Sequence, residues 1–473
     1  MDGLEAVEVN LSEIDHDNPG FRIDAAFFNK AALSLDTSIR KKPYFLLDIN
    51  RVVSGPFGSS LKSDAYLEAG EVPFIRVENI RGGFCIDTSN IVYISQHNSH
   101  KIKNSELVLD DIILSKVGSI GSFARVDPTL SHCNISENNI GIKLHDYSVE
   151  EKHYILTYLN SSPAQLLVQR RISGNVQQKL NVNDVCLIPI PKFSEKFYVE
   201  ISELILKSET TIKYSLSLYA AAESLLLSAL GMDDFTPTND PVAVKSFSES
   251  LGTSGRLDAE YYQEKYEDIE NTLNTNDTVN DLCQIYDGFF IPRKGEYQYI
   301  ELADIGTAGQ IIGCTAAPFD ELPSRAQRLV KRGQVIVSSI EGSLSSCALI
   351  TDDFDNAICS TGFYVVDSPV INSETLLVLF KSAPIQALMK KRCSGTILTA
   401  ISKNALESMP LSKIDDNTQQ QIADSVQRSF ALRRRSEQLL DAAKHTVEMA
   451  IEDGEEAAMA WIAQTLQEQA GNI

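Results

Sequence analysis

The stretch VVSGPFGSSLKSDAYLEAG, residues 52–70, gathers residue types that can hold a phosphate. Gly55 and Gly58 open backbone angles closed to other residues, and Pro56 fixes its own. After the turn come free backbone N–H groups, the hydroxyls of Ser59 and Ser60, and the ammonium of Lys62. Amides, hydroxyls and one cation around a tight loop are the donors that phosphate oxygens accept from. The same composition also suits an ordinary surface turn. Two further loops carry related chemistry. Lys116, Gly118, Ser119 and Gly121 pair a cation with small residues that allow close approach to a duplex, or simply end a strand. Gln177, Gln178 and Lys179 carry groups that match base edges, Gln toward adenine and Lys toward guanine, or stand in a solvated loop.

Catalytic signatures are missing. There is no Gly-x-x-x-x-Gly-Lys-[Ser/Thr] phosphate loop and no Gly-x-Gly-x-x-Gly after a strand. The nearest approach to an Asn/Asp-Pro-Pro-Tyr/Phe base-methylation motif is Asn239-Asp240-Pro241-Val242, which lacks the second proline and the aromatic. The seven histidines have no metal-ligand spacing, and His97 and His100 fall in a polar stretch that reads as a loop. Ser136 and Ser360 have no triad context. The eight cysteines are scattered without a Cys-x-x-Cys pair, as free thiols of a cytoplasmic protein would be. The chain is expected to be no enzyme and to need no metal and no cofactor. A diverged nuclease or DNA-modifying enzyme with unrecognised motifs is the alternative.

The 473 residues suffice for two to four domains, and an apolar fraction of 43% is that of an ordinary globular protein. No apolar run is long enough to span a bilayer, and an N-terminus acidic from its second residue argues against a signal peptide. The formal net charge of −22 weighs against nucleic acid as a partner. That charge is uneven, however. The tail carries Glu437, Asp441, Glu448, Glu452, Asp453, Glu455, Glu456 and Glu468 against Lys444, whereas basic clusters stand at 40–42, 170–171, 390–392 and 433–435. Charge acts locally within a Debye length of about 8–10 Å.

The chain contains a diverged tandem repeat. FRIDAAFF at 21–28 matches GRLDAEYY at 255–262, and FIRVENI at 74–80 matches YIELADI at 299–305. DIILSKVGSIGSFARV at 111–126 matches QVIVSSIEGSLSSCALI at 334–350. In 161–191 and 381–411, Pro163 pairs with Pro384, Gln165 with Gln386, Arg170-Arg171 with Lys391-Arg392, and Ser173-Gly174 with Ser394-Gly395, all at one offset. Each copy ends in a long helical pattern. Phe197, Ile201, Leu204, Ile212, Leu216, Tyr219, Leu226 and Leu230 form one apolar stripe stopped by Gly231. Ile422, Val426, Phe430, Leu440, Ala443, Val447 and Ile451 form another, stopped by Gly454. One globular copy cannot bury so long a helix, so the two are expected to bury their stripes against each other as a coiled-coil-like antiparallel pair.

The predicted architecture is therefore mixed α/β (α+β), two similar modules joined by two long helices. Its boundaries are an N-terminal segment 1–29, a first module 30–193, a central helix 194–232, a linker and repeat start 233–264, a second module 265–412, and a C-terminal helix with acidic tail 413–473.

The motifs SGPFGSSLKS, FIRVENI, DIILSKVGSIG, ISENNIGIKL and SGNVQQKLNVNDVCLIPIP together resemble the target-recognition domains of type I restriction-modification specificity subunits. The resemblance spans the whole chain and is stronger in the first copy. In the second, IYDGFFIPRK replaces VVSGPFGSSLKS and SGTILTAIS replaces SGNVQQKLN. The resemblance implies a non-catalytic subunit that reads a bipartite asymmetric site in double-stranded DNA. It implies as partners two methyltransferase subunits, set on adenines, and a motor-nuclease subunit, with no membrane. It also implies a DNA-facing set in the first copy: Gly55, Phe57, Gly58, Ser59, Ser60, Lys62, Arg76, Asn79, Lys116, Gly118, Ser119, Arg171, Gln177, Gln178 and Lys179. By analogy the second copy contributes Arg293, Lys294, Ser338, Ser339, Gly342, Ser343, Lys391, Arg392 and Thr396.

Overall fold

Eight short strands recur twice along the chain in the same order. The computed structural model describes residues 8–10, 14, 17–56, 58, 60–80, 84–88, 90–174, 177–238, 240, 242–251, 255–395 and 399–470, side chains of 466–470 excepted. In the first copy the strands are β1 (Val52–Ser54), β2 (Val72–Ile75), β3 (Val92–Ile94), β4 (Glu106–Val108), β5 (Ile112–Ser115), β6 (Phe123–Arg125), β7 (His132–Ile135) and β8 (Asn139–Ile142). They form two four-stranded sheets, β1-β8-β5-β6 and β3-β2-β7-β4, antiparallel except for β2 beside β7. The second copy has β9 (Gln284–Tyr286), β10 (Glu296–Ile300), β11 (Thr315–Pro318), β12 (Ala326–Leu329), β13 (Val335–Ser338), β14 (Cys347–Leu349), β15 (Ile358–Ser360) and β16 (Phe363–Asp367). Its sheets are β9-β16-β13-β14 and β11-β10-β15-β12, with β10 parallel to β15. Strand order and orientation are those of the first copy. The central strands β5 and β13 are apolar without alternation because both of their faces are covered. Ile112 and Leu114 face the helices, and Ile113 faces the second sheet.

Helices follow the same duplication: α1 (Lys30–Arg40), α2 (Val149–Leu159), α3 (Ser162–Arg171) and α4 (Glu195–Ala229), then α5 (Glu264–Leu273), α6 (Ser373–Lys381), α7 (Ala383–Arg392) and α8 (Asp416–Glu452), with α9 (Glu455–Ala470) added. The long helices α4 and α8 have 35 and 37 residues. Each stops at a left-handed glycine, Gly231 (φ 70°) and Gly454 (φ 100°), and Met232 N donates back to Leu227 O at 2.8 Å.

Tertiary contacts divide the chain into two units, Met1–Thr210 with Arg435–Ile473, and Thr211–Arg434. Both long helices therefore lend one half to each unit. Their stripes are buried differently from the expectation of mutual burial alone. In the first unit Phe197, Ile201 and Leu204 share one core with Ala443, Val447 and Ile451 and also with Tyr154, Tyr158 and Leu167 of the module. In the second, Ala222, Leu226, Ile422 and Val426 join the core of the sheet and α6. Where α4 and α8 touch each other, serines meet. Ser208 and Ser436 lie 2.7 Å apart through their hydroxyls, each also within hydrogen-bond distance of the other's carbonyl. In the second unit Ser215 and Ser429 do the same at 2.9 Å. The small side chains let antiparallel backbones approach closely, and Leu216 of the predicted stripe is half-exposed as a result.

The first and last repeat motifs lock together in each copy. Arg22 chelates Asp24 and donates to Arg170 O at 3.1 Å, and the Arg170 guanidinium lies 4.5 Å from the Phe27 ring. Arg256 chelates Asp258 and reaches Cys393 O at 3.0 Å, over the Tyr261 ring at 4.5 Å. The stretch 233–244, read as a linker, is partly fixed: Thr238 N donates to Asp268 of α5 at 2.8 Å. A buried polar group ties the first module to α4. Arg125 of β6 pairs with Asp110 and with Glu209, while His153 Nδ1 lies 2.8 Å from Ser202 Oγ. Burial, with Arg125 nearby, pulls the His153 pKa down to about 4.

Candidate nucleic-acid interface

The Gly-Pro loop leaves β1 along one wall of a cleft of about 530 Å³. Gly55 is required there by close approach: a Cβ would overlap the Ser136 carbonyl, and its N donates to Asn139 O at 3.1 Å. A Cβ on Gly58 would meet only the Glu137 side chain. The cleft is lined by Ser54, Gly55, Pro56 and Ser60 from this loop, by Lys101, Lys103 and Asn104, and by Lys116, Glu137 and Asn138. Lys116 Nζ lies 3.3 Å from Ser54 Oγ. Three lysines and one carboxylate, Glu137, thus line this open groove.

A buried asparagine holds the lysine-bearing segment in place. Asn134 of β7 accepts from Ser99 Oγ at 2.7 Å and donates to Ser105 Oγ at 3.1 Å. Residues 96–101 form a short helix capped by Ser95, so His97 and His100 stand on a helix and not in a loop. Among the described residues no cluster of His, Cys, Asp or Glu could hold a metal.

Backbone hydrogen bonds join two of the three expected reading segments of the first copy, those at Lys116 and at 177–179. Leu180 N donates to Lys116 O at 3.0 Å, and Ser173 and Lys179 exchange backbone bonds at 3.0 and 2.8 Å. Gly174 closes that hairpin with φ 105°. Gln177, Gln178 and Lys179 are exposed at its tip, and Gly118 and Ser119 are exposed beside it. Lys62 is exposed next to the first loop. Phe57, Ser59 and Thr396 lie outside the described residues.

Other expected contacts have structural duties instead. Arg171 is 1% exposed, donates to Asp17 O and Leu187 O, and is pulled down to about 10 by burial and by the neighbouring Arg170. Asn79 is 2% exposed and closes its own loop, accepting from Arg76 N and donating to Asp87 O. Arg76 is held by Glu78 at 2.6 Å and Asn90 O at 2.8 Å. In the second copy Ser338 and Ser339 are buried, with hydroxyls on Ser343 and on Gly362 O. Lys391 and Arg392 both clamp Glu270, at 2.9 and 3.0 Å. Six of these leave the solvent-facing set because their polar groups already have buried or local partners, while Arg76 stays partly exposed. Arg293, Lys294 and Gly342 remain exposed, and Ser343 is half-buried.

The second copy repeats the loop junction without its cation. Ile401 N donates to Ser339 O at 2.8 Å, as Leu180 N does to Lys116 O. Lys101, Lys103, Asn104 and Asn138 escaped the sequence reading. The spacing of Lys101 and Lys103 in SHKIKNSE was the available signal, but only the fold brings them to Lys116.

A duplicated, mixed α/β chain whose two copies share one loop junction, with two long helices that run antiparallel where they meet, is the class the fold defines. No family model matches the sequence. The chain is similar to the type I restriction enzyme HindI specificity subunit of Haemophilus influenzae, with 26% identity over 122 residues. That match covers 25% of this chain and 26% of the relative, about a quarter of its length. Among solved structures, the type I restriction-modification S subunit of M. genitalium aligns over 87% of this chain and 96% of its own, with 12% identity and a TM-score of 0.34. The HsdS subunit of Thermoanaerobacter tengcongensis aligns over 87% and 98%, with 14% identity and a TM-score of 0.28. The likeness to type I specificity subunits seen in the motifs thus recurs in the sequence comparison. Among the described residues no helix is long and apolar enough to cross a membrane.

Proposed function

We propose that the chain is a non-catalytic, cytoplasmic DNA-specificity subunit of a type I restriction-modification or related phage-defence complex. Each module reads one half of a bipartite, asymmetric site, and the chain positions two methyltransferase subunits for adenine methylation and serves a motor-nuclease subunit. One observation carries this reading. The two modules have the same strand order and loop junction but different loop chemistry, Lys116 in one standing where Ser339 stands in the other. Equal frames with unequal loops suit two half-sites of different sequence. In the first module Ser60, Lys62, Lys101, Lys103 and Lys116 take phosphates, while Gln177, Gln178 and Lys179 reach base edges. In the second, Arg293, Lys294, Gly342 and Ser343 face the duplex.

Methylome sequencing of cells expressing the chain with a methyltransferase subunit tests the proposal. The expected result is adenine methylation in two short sequence blocks separated by an unread gap. Replacing Gln177 and Gln178 by alanine should relax one block and leave the other intact, at a cost of about 1–3 kcal/mol per lost base contact. Methylation without sequence preference, or a motif indifferent to this chain, overturns it.

A further inference from the structure

We propose that the tip of the loop between β9 and β10 is an apolar wedge that presses on the base pairs of the duplex from within a groove. Phe289 and Ile291 are 75% and 80% exposed, an unusual position for two large apolar side chains two residues apart in one loop. The loop is built to hold them there. Phe290, between them, turns inward against Tyr299, Ala326 and Ile358, stacks edge-on with Tyr297 at 6.0 Å, and donates its N–H to Gln327 O at 2.7 Å. With Phe290 anchored inward, Phe289 and Ile291 on either side of it stay exposed. Arg293 N is fixed on Tyr297 Oη at 3.2 Å.

Charge selects the occupant. Arg293 and Lys294 follow the apolar pair, are exposed, and have no ion-pair partner among the described residues. Asp287, the acid at the base of the loop, is already neutralised by Lys403 at 2.8 Å. An apolar tip backed by two free cations fits a nucleic-acid duplex: the cations take phosphates, and the aromatic and branched side chains meet bases or open a base step. A protein partner would have to place a carboxylate opposite each cation beside an apolar pocket, whereas every duplex offers phosphates beside its bases. The loop occupies the place that SGPFGSSLKS holds in the first copy, so the modules would grip DNA by different means, cationic in one and apolar in the other.

The inference rests on the DNA-reading role proposed above, and the test separates the two. Duplexes enriched by the full-length chain from a randomised pool are titrated by fluorescence anisotropy over a range of salt. Phe289→Ser with Ile291→Ser should weaken binding about tenfold at every salt concentration with an unchanged salt slope, as loss of an apolar base contact does. Arg293→Gln with Lys294→Gln should lower the slope by up to about two. If the apolar double variant binds as the wild type does, the wedge is wrong whether or not the cationic variant changes the slope. A lowered slope in that case keeps the loop on DNA and leaves its apolar tip to a protein. If the wild-type chain enriches no duplex, the DNA reading fails and the wedge with it.

Discussion

Neutralising the cleft lysines should change how binding responds to salt more than it changes the protein. Lys101 and Lys103 are exposed, and among the described residues the Lys116 ammonium meets only Ser54 Oγ, so Lys101→Gln, Lys103→Gln and Lys116→Gln together should leave thermal unfolding nearly unchanged. Each lysine on a phosphate releases condensed counterions when DNA binds, so each should contribute about 0.9 to the slope of log affinity against log salt. Between 50 and 200 mM salt that is about 3.5-fold per lysine, and roughly 40-fold for three. The wild-type chain should therefore lose roughly 40-fold more affinity over this range than the triple variant. Anisotropy titrations of full-length chains on the same duplex measure it. An unchanged slope would refute the placement of phosphates in the cleft. A loss of affinity with the wild-type slope would show that the lysines act through shape and not through charge.

Lys391→Gln should behave oppositely. Removing one clamp on Glu270 should cost about 1–3 kcal/mol of stability, discounted because the carboxylate is partly exposed and keeps Arg392, and should leave the salt slope alone. Melting curves with a parallel titration would expose the error if only the slope fell. Gly55→Ala should lower both melting temperature and DNA affinity, because its Cβ meets backbone, whereas Gly58→Ala meets only the flexible Glu137 and should be near neutral. Equal effects at the two glycines would contradict this. His153 is buried neutral with a pKa of about 4, below its ordinary 6.5. The unfolded chain takes up this proton as pH falls through 6.5 and the folded chain only near 4, so stability is full above 6.5 and declines toward 4, by roughly 3 kcal/mol. Urea unfolding over this window should show a shallower pH dependence in His153→Gln, and an identical slope would mean that the carboxylates alone set it.

The duplication, the two long helices and their glycine stops were legible in the sequence, because they depend on local pattern. Repeated motifs need only order and spacing, an apolar stripe needs only helical period, and a left-handed stop needs only glycine. The turn at Gly55-Pro56 was legible for the same reason, whereas 177–179 read only as a loop, without the pairing of Ser173 with Lys179. The partners of each polar side chain were not. Arg170-Arg171 and Lys391-Arg392 read as basic clusters, yet the fold turns them inward onto Phe27, Leu187 and Glu270. Ser208, Ser215, Ser429 and Ser436 belong to neither apolar stripe, yet the two helices bond to each other through them. Lys101 and Lys103 went unremarked in the sequence, yet Asn134 holds their segment at the cleft that Lys116 also lines. A residue's type and spacing declare what it can bond. Which partner reaches it first, water, a neighbour or a ligand, is set by contacts distant in the chain, and those exist only once the sheets and helices have packed.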